Sequence, residues 1–169
     1  AGDLGAVAEA VLADGAAGIT RFGLTVFRPV LPMLAQSAET PSEALASFAG
    51  PAALELKLDG FRVQIHKQDE QVRVFSRALN EVTAQVPEIV ASAAALPARR
   101  AILDGEAIAL GPAGRPLPFQ DTMKRGGPLS FAVFDALLVD DQTLLSAPAR
   151  ERFAALEALA PAHAVPRLV

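Results

Sequence analysis

The stretch from Glu55 to Arg62, with the sequence E-L-K-L-D-G-F-R, combines residue types and a spacing that could do chemistry. Its apolar and polar residues alternate, which is typical of a β-strand, so Glu55 and Lys57 are predicted to share one face. Gly60 would let the chain turn tightly, so that Arg62 points back toward the same place. The pattern predicts an anion-binding cluster. The alternative interpretation is a solvated strand face with charge pairs.

Lys57 is the candidate nucleophile of this cluster. The chain contains no cysteine, so a covalent step has to use serine, threonine, lysine, histidine or a carboxylate. A free lysine keeps its proton up to about pH 10, and only the neutral amine is nucleophilic. Partial burial and a neighbouring cation, either a metal ion or Arg62, would favour the neutral form. The other two lysines, Lys67 and Lys124, lie in more ordinary polar surroundings.

Strands and helices predicted from the periodicity of apolar residues would position the cluster. Three strands, joined by short turns that include Gln68-Asp69-Glu70, predict an antiparallel meander over residues 53–59, 61–67 and 71–76. Further strands are predicted at 101–110, 129–139 and 164–169, and helices at 1–18, 41–48, 82–96 and 147–159. Residues 27–34 contain two prolines that forbid a continuous helix, so they are expected to form an extended connector.

Composition sets bounds on the protein class. With 169 residues, 51% of them hydrophobic, the chain can form one domain with a core. No run approaches the roughly 20 apolar residues that cross a bilayer, and the first residues lack the basic opening of a secretory signal, so we expect a cytoplasmic protein. The net charge of −4 and the absence of Trp and Tyr argue weakly against nucleic-acid binding.

Seven ordered segments resemble motifs of the covalent nucleotidyltransferases, and within them the ATP-dependent DNA ligases of the bacterial type. Residues 55–62 resemble the first motif, in which Lys57 occupies the position of the adenylated lysine. The next three segments resemble a P-M-L-A segment at residues 29–35, an F-S-R-A-L-N-E motif at 74–83 and an L-D-G-E motif at 103–106. The last three resemble an L-P-F-Q segment at 117–120, an F-A-V-F-D strand at 131–135 and a P-x-x-E-R helix start at 148–152.

The resemblance implies a role for six residues. Lys57 would take AMP from ATP, and Arg62 and Arg77, together with Mg²⁺, would stabilise the charge that develops on the phosphates. Glu106 would contact the ribose and help to bind the metal ion. Glu55 would accept a hydrogen bond from the adenine amino group, and Phe134 would stack on adenine, although a Phe in an apolar strand is more often core.

The resemblance also implies a fold and partners. We expect an α+β fold with antiparallel sheets and flanking helices, similar to the ATP-grasp-like nucleotidyltransferase domain of DNA ligases and cut short at its C-terminus. Residues 1–26 would be the remnant of a helical DNA-binding domain, residues 27–50 a linker leading into the adenylation domain, and residues 51–169 the N-terminal part of that domain. The expected partners are ATP, Mg²⁺ and nicked double-stranded DNA, with a monomer that does not bind membranes and a fragment that adenylates weakly or not at all.

Three alternatives to an ATP-dependent DNA ligase remain open, namely an RNA ligase, an mRNA-capping guanylyltransferase and an inactive binding module. RNA ligases and mRNA-capping guanylyltransferases share the K-x-D-G motif, and an NAD-dependent ligase is disfavoured by Phe61-Arg62 after the glycine. The chain could also be a catalytically inactive nucleotide- or DNA-binding module. Four features are interpreted as non-functional. His66 is expected to be polar surface rather than a ligand, His163 to be structural, and the basic pairs Arg99-Arg100 and Lys124-Arg125 to be solvated.

Overall fold

The protein is described here by a computed structural model covering residues 4–111, 114–124 and 127–168, without the side chains of Arg21 and Met123. Three sequence predictions fall partly outside these residues. They concern the first three residues of the predicted N-terminal helix, Arg125 of a basic pair, and Val169 at the end of the last predicted strand.

A five-stranded antiparallel sheet is the centre of the fold. Its spatial order is β3-β2-β4-β5-β6, with strands β2 (Phe61–Gln68), β3 (Gln71–Ser76), β4 (Arg100–Ala109), β5 (Leu129–Val139) and β6 (Gln142–Thr143). Four of these strands were predicted within a residue or two. The turn between β2 and β3 lies at Asp69, which has a φ of 51°, a left-handed conformation that aspartate tolerates better than most residues.

Two helices cover one face of the sheet and close the main core. Helix α3 (Pro87–Ala94) buries Ile89 and Ala93, and helix α5 (Ala149–Leu159) buries Leu156 and Leu159. These side chains pack with the apolar residues that alternate inward along the strands, such as Val63 and Leu103. The fold is therefore the predicted mixture of helices and antiparallel sheet.

The helix predicted at 82–96 begins later than expected, at Pro87. Proline disfavours the helical conformation of the residue before it, and Val86 has φ −134° and ψ 54°. Residues Thr83–Gln85 form a separate 3₁₀ turn instead. At the other end of the helix, the buried Lys67 donates hydrogen bonds to the carbonyls of Ala94, at 2.7 Å, and Leu96.

The predicted strand 53–59 is largely wrong. Only Leu54–Glu55 forms a strand, β1, and it pairs antiparallel with β7 (Arg167–Leu168) in a second, two-stranded sheet instead of continuing the meander. Leu54 and Leu56 are 59% and 66% exposed. Alternating apolar and polar residues favour an extended segment with one buried face. A β-strand also needs a neighbouring strand to pair with, and the sequence pattern does not show whether one is present.

The remaining helices lie before and beside the sheet. Helix α1 (Leu4–Asp14) has no buried residue. The chain continues from it as a 3₁₀ helix (Gly15–Arg21). Helix α2 (Pro41–Ala46) has its predicted proline start, and Thr40 caps it by accepting a hydrogen bond from the Glu43 amide. Helix α4 (Phe119–Met123) is a single short turn. No helix among the described residues is both long and apolar enough to cross a membrane.

The connector packs against the face of the sheet opposite the main core. Val26 is buried with Ile102, Leu137 and Leu138. The Phe27 amide donates to Nδ1 of His66 at 2.9 Å, and Nε2 of His66 lies 2.9 Å from Oε1 of Gln64. His66 is fully buried, so its interpretation as polar surface was wrong. Burial lowers the pKa of His66 to about 4.

We expect His66→Asn to reduce the loss of unfolding free energy that the protein shows when the pH falls from 7 to 4.5. A neutral His66 stabilises the fold above pH 6.5, and this contribution is lost as the pH falls toward 4, because the unfolded chain takes up the proton first. Between pH 7 and pH 4.5 the loss is about 2 kcal/mol. The asparagine Oδ1 can replace Nδ1 as the acceptor for Phe27. Urea unfolding of the unmodified protein and of His66→Asn at pH 7 and pH 4.5 measures the loss of unfolding free energy in each. An equal loss in the two proteins would contradict the lowered pKa of His66.

Candidate active site

A cleft of about 950 Å³ opens at the end of β2 where the chain enters the sheet. All six residues named from the sequence line it, namely Glu55, Lys57, Arg62, Arg77, Glu106 and Phe134. Five of them come from β1, β2, β4, β5 and the turn after β3, and Lys57 comes from the irregular segment between β1 and β2. The site is therefore built from segments far apart in the sequence. The structure therefore brings together every predicted site residue.

The pairing of β2 with β4 sets the floor of the cleft. Arg62 lies directly opposite Glu106, and the Gly60 amide donates to Oε1 of Glu106 at 3.1 Å. A Cβ atom at Gly60 would lie 2.0 Å from the Ala107 carbonyl oxygen. Glycine is required at position 60 because of this close approach, which lets its backbone reach the carboxylate.

Arg62 is held by a two-pronged ion pair with Asp104. Its Nε and Nη2 donate to the two carboxylate oxygens at 3.0 and 2.7 Å, and its Nη1 donates to the Met33 carbonyl at 3.2 Å. Hydrogen bonding to Asp104 raises the pKa of Arg62 above its already high ordinary value. The guanidinium carbon lies 5.3 Å from the centroid of the Phe134 ring. The paired arginine still has unused N–H groups that could bind an anion in the cleft.

Lys57 differs from the expectation of partial burial. Its side chain is 85% exposed, and its Nζ lies 3.2 Å from both Oδ1 of Asp59 and the Leu58 carbonyl. The cause is the local backbone: residues 56–59 belong to no strand, so Lys57 projects from an open margin of the cleft. The nearest charged partner is a carboxylate, whereas the sequence argument expected a cation.

Glu106 is a half-buried carboxylate at the floor of the cleft. Burial raises the pKa of Glu106, and the Gly60 amide, Lys57 and Arg62 partly oppose this effect. No group of three or more His, Cys, Asp or Glu side chains suited to one metal ion occurs in the part of the chain that the structure describes. A single desolvated carboxylate nevertheless fits Mg²⁺, which often takes one or two protein carboxylates and completes its shell with water and phosphate oxygens.

Arg77 and Phe119 form part of the cleft rim. Arg77 is exposed and lies in the turn after β3, where the Leu79 amide bonds to the Ser76 carbonyl at 2.8 Å and Leu79 has a φ of 65°. Phe119, at the start of α4, is 44% exposed and contributes an aromatic ring to the lining. The rim therefore combines a cationic side chain with an apolar surface.

Sequence reasoning missed Arg167, which does not line the cleft but bonds to two residues that do. Its Nε and Nη2 donate to Oε1 of Glu55 at 2.7 and 2.5 Å, and Nη2 also donates to the Phe134 carbonyl at 3.2 Å. The pairing of β1 with β7 brings these residues together across 112 positions of sequence, which no local pattern could reveal. Asp104 was also missed, although its spacing of two from Glu106 places both on one face of β4.

The fold belongs to a class already seen in solved ligase structures. The chain is similar to the crystal structure of the ligase domain from M. tuberculosis LigD, with 31% identity and a TM-score of 0.61 over 69% of this chain and 40% of that one. It is similarly related to mycobacterial DNA ligase D complexed with ATP and MES, with 31% identity and a TM-score of 0.60.

The chain belongs to the ATP-dependent DNA ligase domain family, whose model matches residues 32–166. Curated relatives described as probable DNA ligases are 54% identical in Anaeromyxobacter sp. (strain K) and 51% identical in Mycobacterium sp. (strain KMS). Each match covers the whole of this chain but only 36% and 34% of the relative. The chain thus spans about a third of the length of these relatives.

Replacement of Glu106 by Gln should stabilise the fold at neutral pH. The raised pKa of Glu106 means that its charged form is less favourable in the folded protein than in the unfolded chain, so the penalty develops as the pH rises above 4.5. Glutamine keeps an acceptor for Gly60 without the charge. Thermal unfolding should show a melting temperature higher by roughly 2 °C or more at pH 7.5, and no difference at pH 4.

The exposed Glu70→Gln is the matched control for this experiment, because it removes the same charge from the turn between β2 and β3. A melting temperature of Glu106→Gln at or below that of the unmodified protein at pH 7.5 would show that the carboxylate is stabilised in the fold and would contradict the assignment.

Proposed function

We propose that this chain carries the lysine-adenylation step of an ATP-dependent DNA ligase. The observation that carries the proposal is the single cleft in which Lys57, two arginines, a desolvated carboxylate and an aromatic ring meet. In the step, Nζ of Lys57 attacks the α-phosphorus of ATP. A nitrogen–phosphorus bond forms, the bond to the bridging oxygen breaks, and pyrophosphate leaves with its electron pair.

The other cleft residues would bind and orient the nucleotide. Arg62 and the exposed Arg77 would face the phosphates, where positive charge stabilises the transition state. Phe134 would stack on the adenine ring and Glu55 would accept from its amino group. We propose that Glu106 holds the ribose and one Mg²⁺ ion, since its burial leaves a carboxylate that a hydroxyl or a cation would stabilise. A bound Mg²⁺ would neutralise charge on the phosphate oxygens.

Lys57 has to lose a proton before it attacks. In the free protein its Nζ is exposed and lies 3.2 Å from Oδ1 of Asp59. Arrival of the nucleotide would cover the lysine and bring it next to the cations that accompany the phosphates. Asp59, at 3.2 Å from Nζ, is placed to accept the proton that the amine releases. The same contact would hold the lysine at the cleft margin until ATP binds.

The full-length protein is proposed to complete the ligase reaction. AMP would pass from Lys57 to the 5′-phosphate of nicked double-stranded DNA, and the 3′-hydroxyl would then displace it. The curated relatives, named as probable DNA ligases and about three times as long, support this extension. We propose that residues 1–26 belong to a DNA-binding region, residues 27–50 to a linker and residues 51–169 to the adenylation domain, in a monomer working in the bacterial cytoplasm.

Incubation of the full-length protein with α-³²P-labelled ATP and Mg²⁺, followed by denaturing electrophoresis, tests the proposal. We expect the label on the protein band to fall by at least about a thousandfold in Lys57→Ala, because neither of the other two lysines of this chain lines the cleft. Lys124→Ala is the matched control, since Lys124 is also exposed but does not line the cleft.

Two results would count against the proposal. Label that survives Lys57→Ala would place the nucleophile elsewhere. Absence of label from a folded full-length protein that still binds ATP would favour the inactive nucleotide-binding module. Labelling by GTP in preference to ATP would instead favour the capping-type alternative.

A further inference from the structure

Arg167 is a largely buried side chain that bonds to several parts of the fold. Only 5% of its side chain is exposed. Besides its bonds to Glu55 and the Phe134 carbonyl, its Nη1 lies 3.3 Å from Oε1 of Glu157, and its guanidinium lies 3.7 Å from the Phe153 ring centroid. One side chain therefore ties together β1, β5 and α5. None of the family-like segments includes it.

The contacts of Arg167 fix the side chain of Glu55 in one orientation. Both hydrogen bonds go to the same oxygen, Oε1, so Arg167 leaves Oε2 for another partner. The Glu55 side chain is 29% exposed, and the residue lines the cleft. An ionised carboxylate has no N–H or O–H group, so its second oxygen can act as a hydrogen-bond acceptor but not as a donor. Arg167 thus presents an acceptor, at a fixed place, to whatever enters this part of the cleft.

Arg167 also fixes the second element of the same subsite. Its bond to the Phe134 carbonyl joins Glu55 to the strand that carries the Phe134 ring. The position of the acceptor relative to the aromatic face is therefore set by one guanidinium. This matters for a flat heterocycle, because stacking fixes the plane of the ring and the acceptor then selects which edge group lies opposite it.

We infer that Arg167 is a positioning residue that, by holding Glu55, makes the nucleotide subsite select adenine over guanine. This inference rests on the proposed adenylation function and deepens it. Adenine carries an amino donor at its 6-position, whereas guanine carries a carbonyl acceptor there. A fixed carboxylate accepts from the first and opposes the second. A mobile carboxylate would be able to turn toward the ring N–H and amino donors of guanine, so discrimination depends on the anchor as well as on Glu55.

The test compares protein adenylation by ATP with protein guanylylation by GTP, using α-³²P-labelled nucleotides and the full-length protein. We expect Arg167→Lys and Arg167→Ala to lower the ratio of kcat/KM for ATP to that for GTP by about tenfold or more, the effect of one hydrogen bond to a charged group. Arg167→Lys keeps the charge and the apolar stem but cannot make two bonds to one oxygen. If Arg167→Ala does not fold, Arg167→Lys alone provides the measurement.

Glu157→Gln is the matched control. It removes the charge of an exposed partner of Arg167 without touching Glu55, so the ATP-to-GTP ratio should stay within about twofold of the unmodified protein. A double variant gives the sharper readout. If Arg167 acts through Glu55, Glu55→Gln alone should reduce the ratio, and adding Arg167→Lys to it should reduce the ratio no further.

Each outcome has a definite meaning. A ratio that stays constant while both rates fall would show that Arg167 only supports the fold. A further loss of the ratio in the double variant would show that Arg167 affects selectivity by a route other than Glu55. Either result would overturn the inference and leave the proposed function standing, provided that the unmodified protein is labelled by ATP. An unmodified protein that takes no label would overturn the proposed function and the inference with it.

Discussion

The antiparallel pairing of β2 with β4 is the constraint on which the rest of the site depends. It places Arg62 opposite Glu106 and Gln64 opposite Asp104. Side chains alternate between the faces of a sheet, so a slip of one residue would exchange this polar row for Val63 and its apolar neighbours. The buried core therefore fixes the position of the charged groups. Burial of the apolar face fixes the register of β2 and β4, and this register positions the charged side chains of the cleft.

Most charges near the cleft are already neutralised by a partner in the protein. Arg62 pairs with Asp104, Arg167 with Glu55, and Arg152 with Asp135 at 2.8 Å. Desolvated pairs of this kind add little net stability but cost a great deal when one partner is removed, so they serve mainly to fix geometry. Glu106 is different, because its charged form is disfavoured by burial in the folded protein. The framework thus uses paired charges for orientation and leaves a less satisfied carboxylate for ligand binding.

The sequence predicted local features well and tertiary neighbours poorly. Strands β2 to β5 and helix α5 follow from apolar periodicity, and the six proposed site residues follow from family-like segments that meet in one cleft. The strand at 53–59 failed because pairing depends on a partner near residue 167. His66 was taken for surface because the connector that buries it comes from 39 residues upstream. Arg167 gave no signal because its role exists only after β1 and β7 have met.

The connector shows how an irregular segment can become part of the site. Three polar residues on one face of β2 bind its backbone in turn, with His66 at Phe27, Gln64 at Val30, and Arg62 at the Met33 carbonyl. Gln64 uses both ends of its amide, since its Nε2 also donates to the Val30 carbonyl at 3.1 Å. The bound backbone positions are three residues apart, whereas the side chains that bind them are two apart along the strand.

Proline is suited to the gaps between these contacts. Pro29 and Pro32 have no N–H to offer, and the amides that β2 requires belong to Phe27 and Val30. The prolines restrict the backbone on either side of Val30 and so reduce the entropy that ordering the connector costs. Met33 is 88% exposed, and its contact with the site is the bond from Arg62 to its carbonyl oxygen. Arg62 is thereby held from two sides, by Asp104 within the sheet and by the connector outside it.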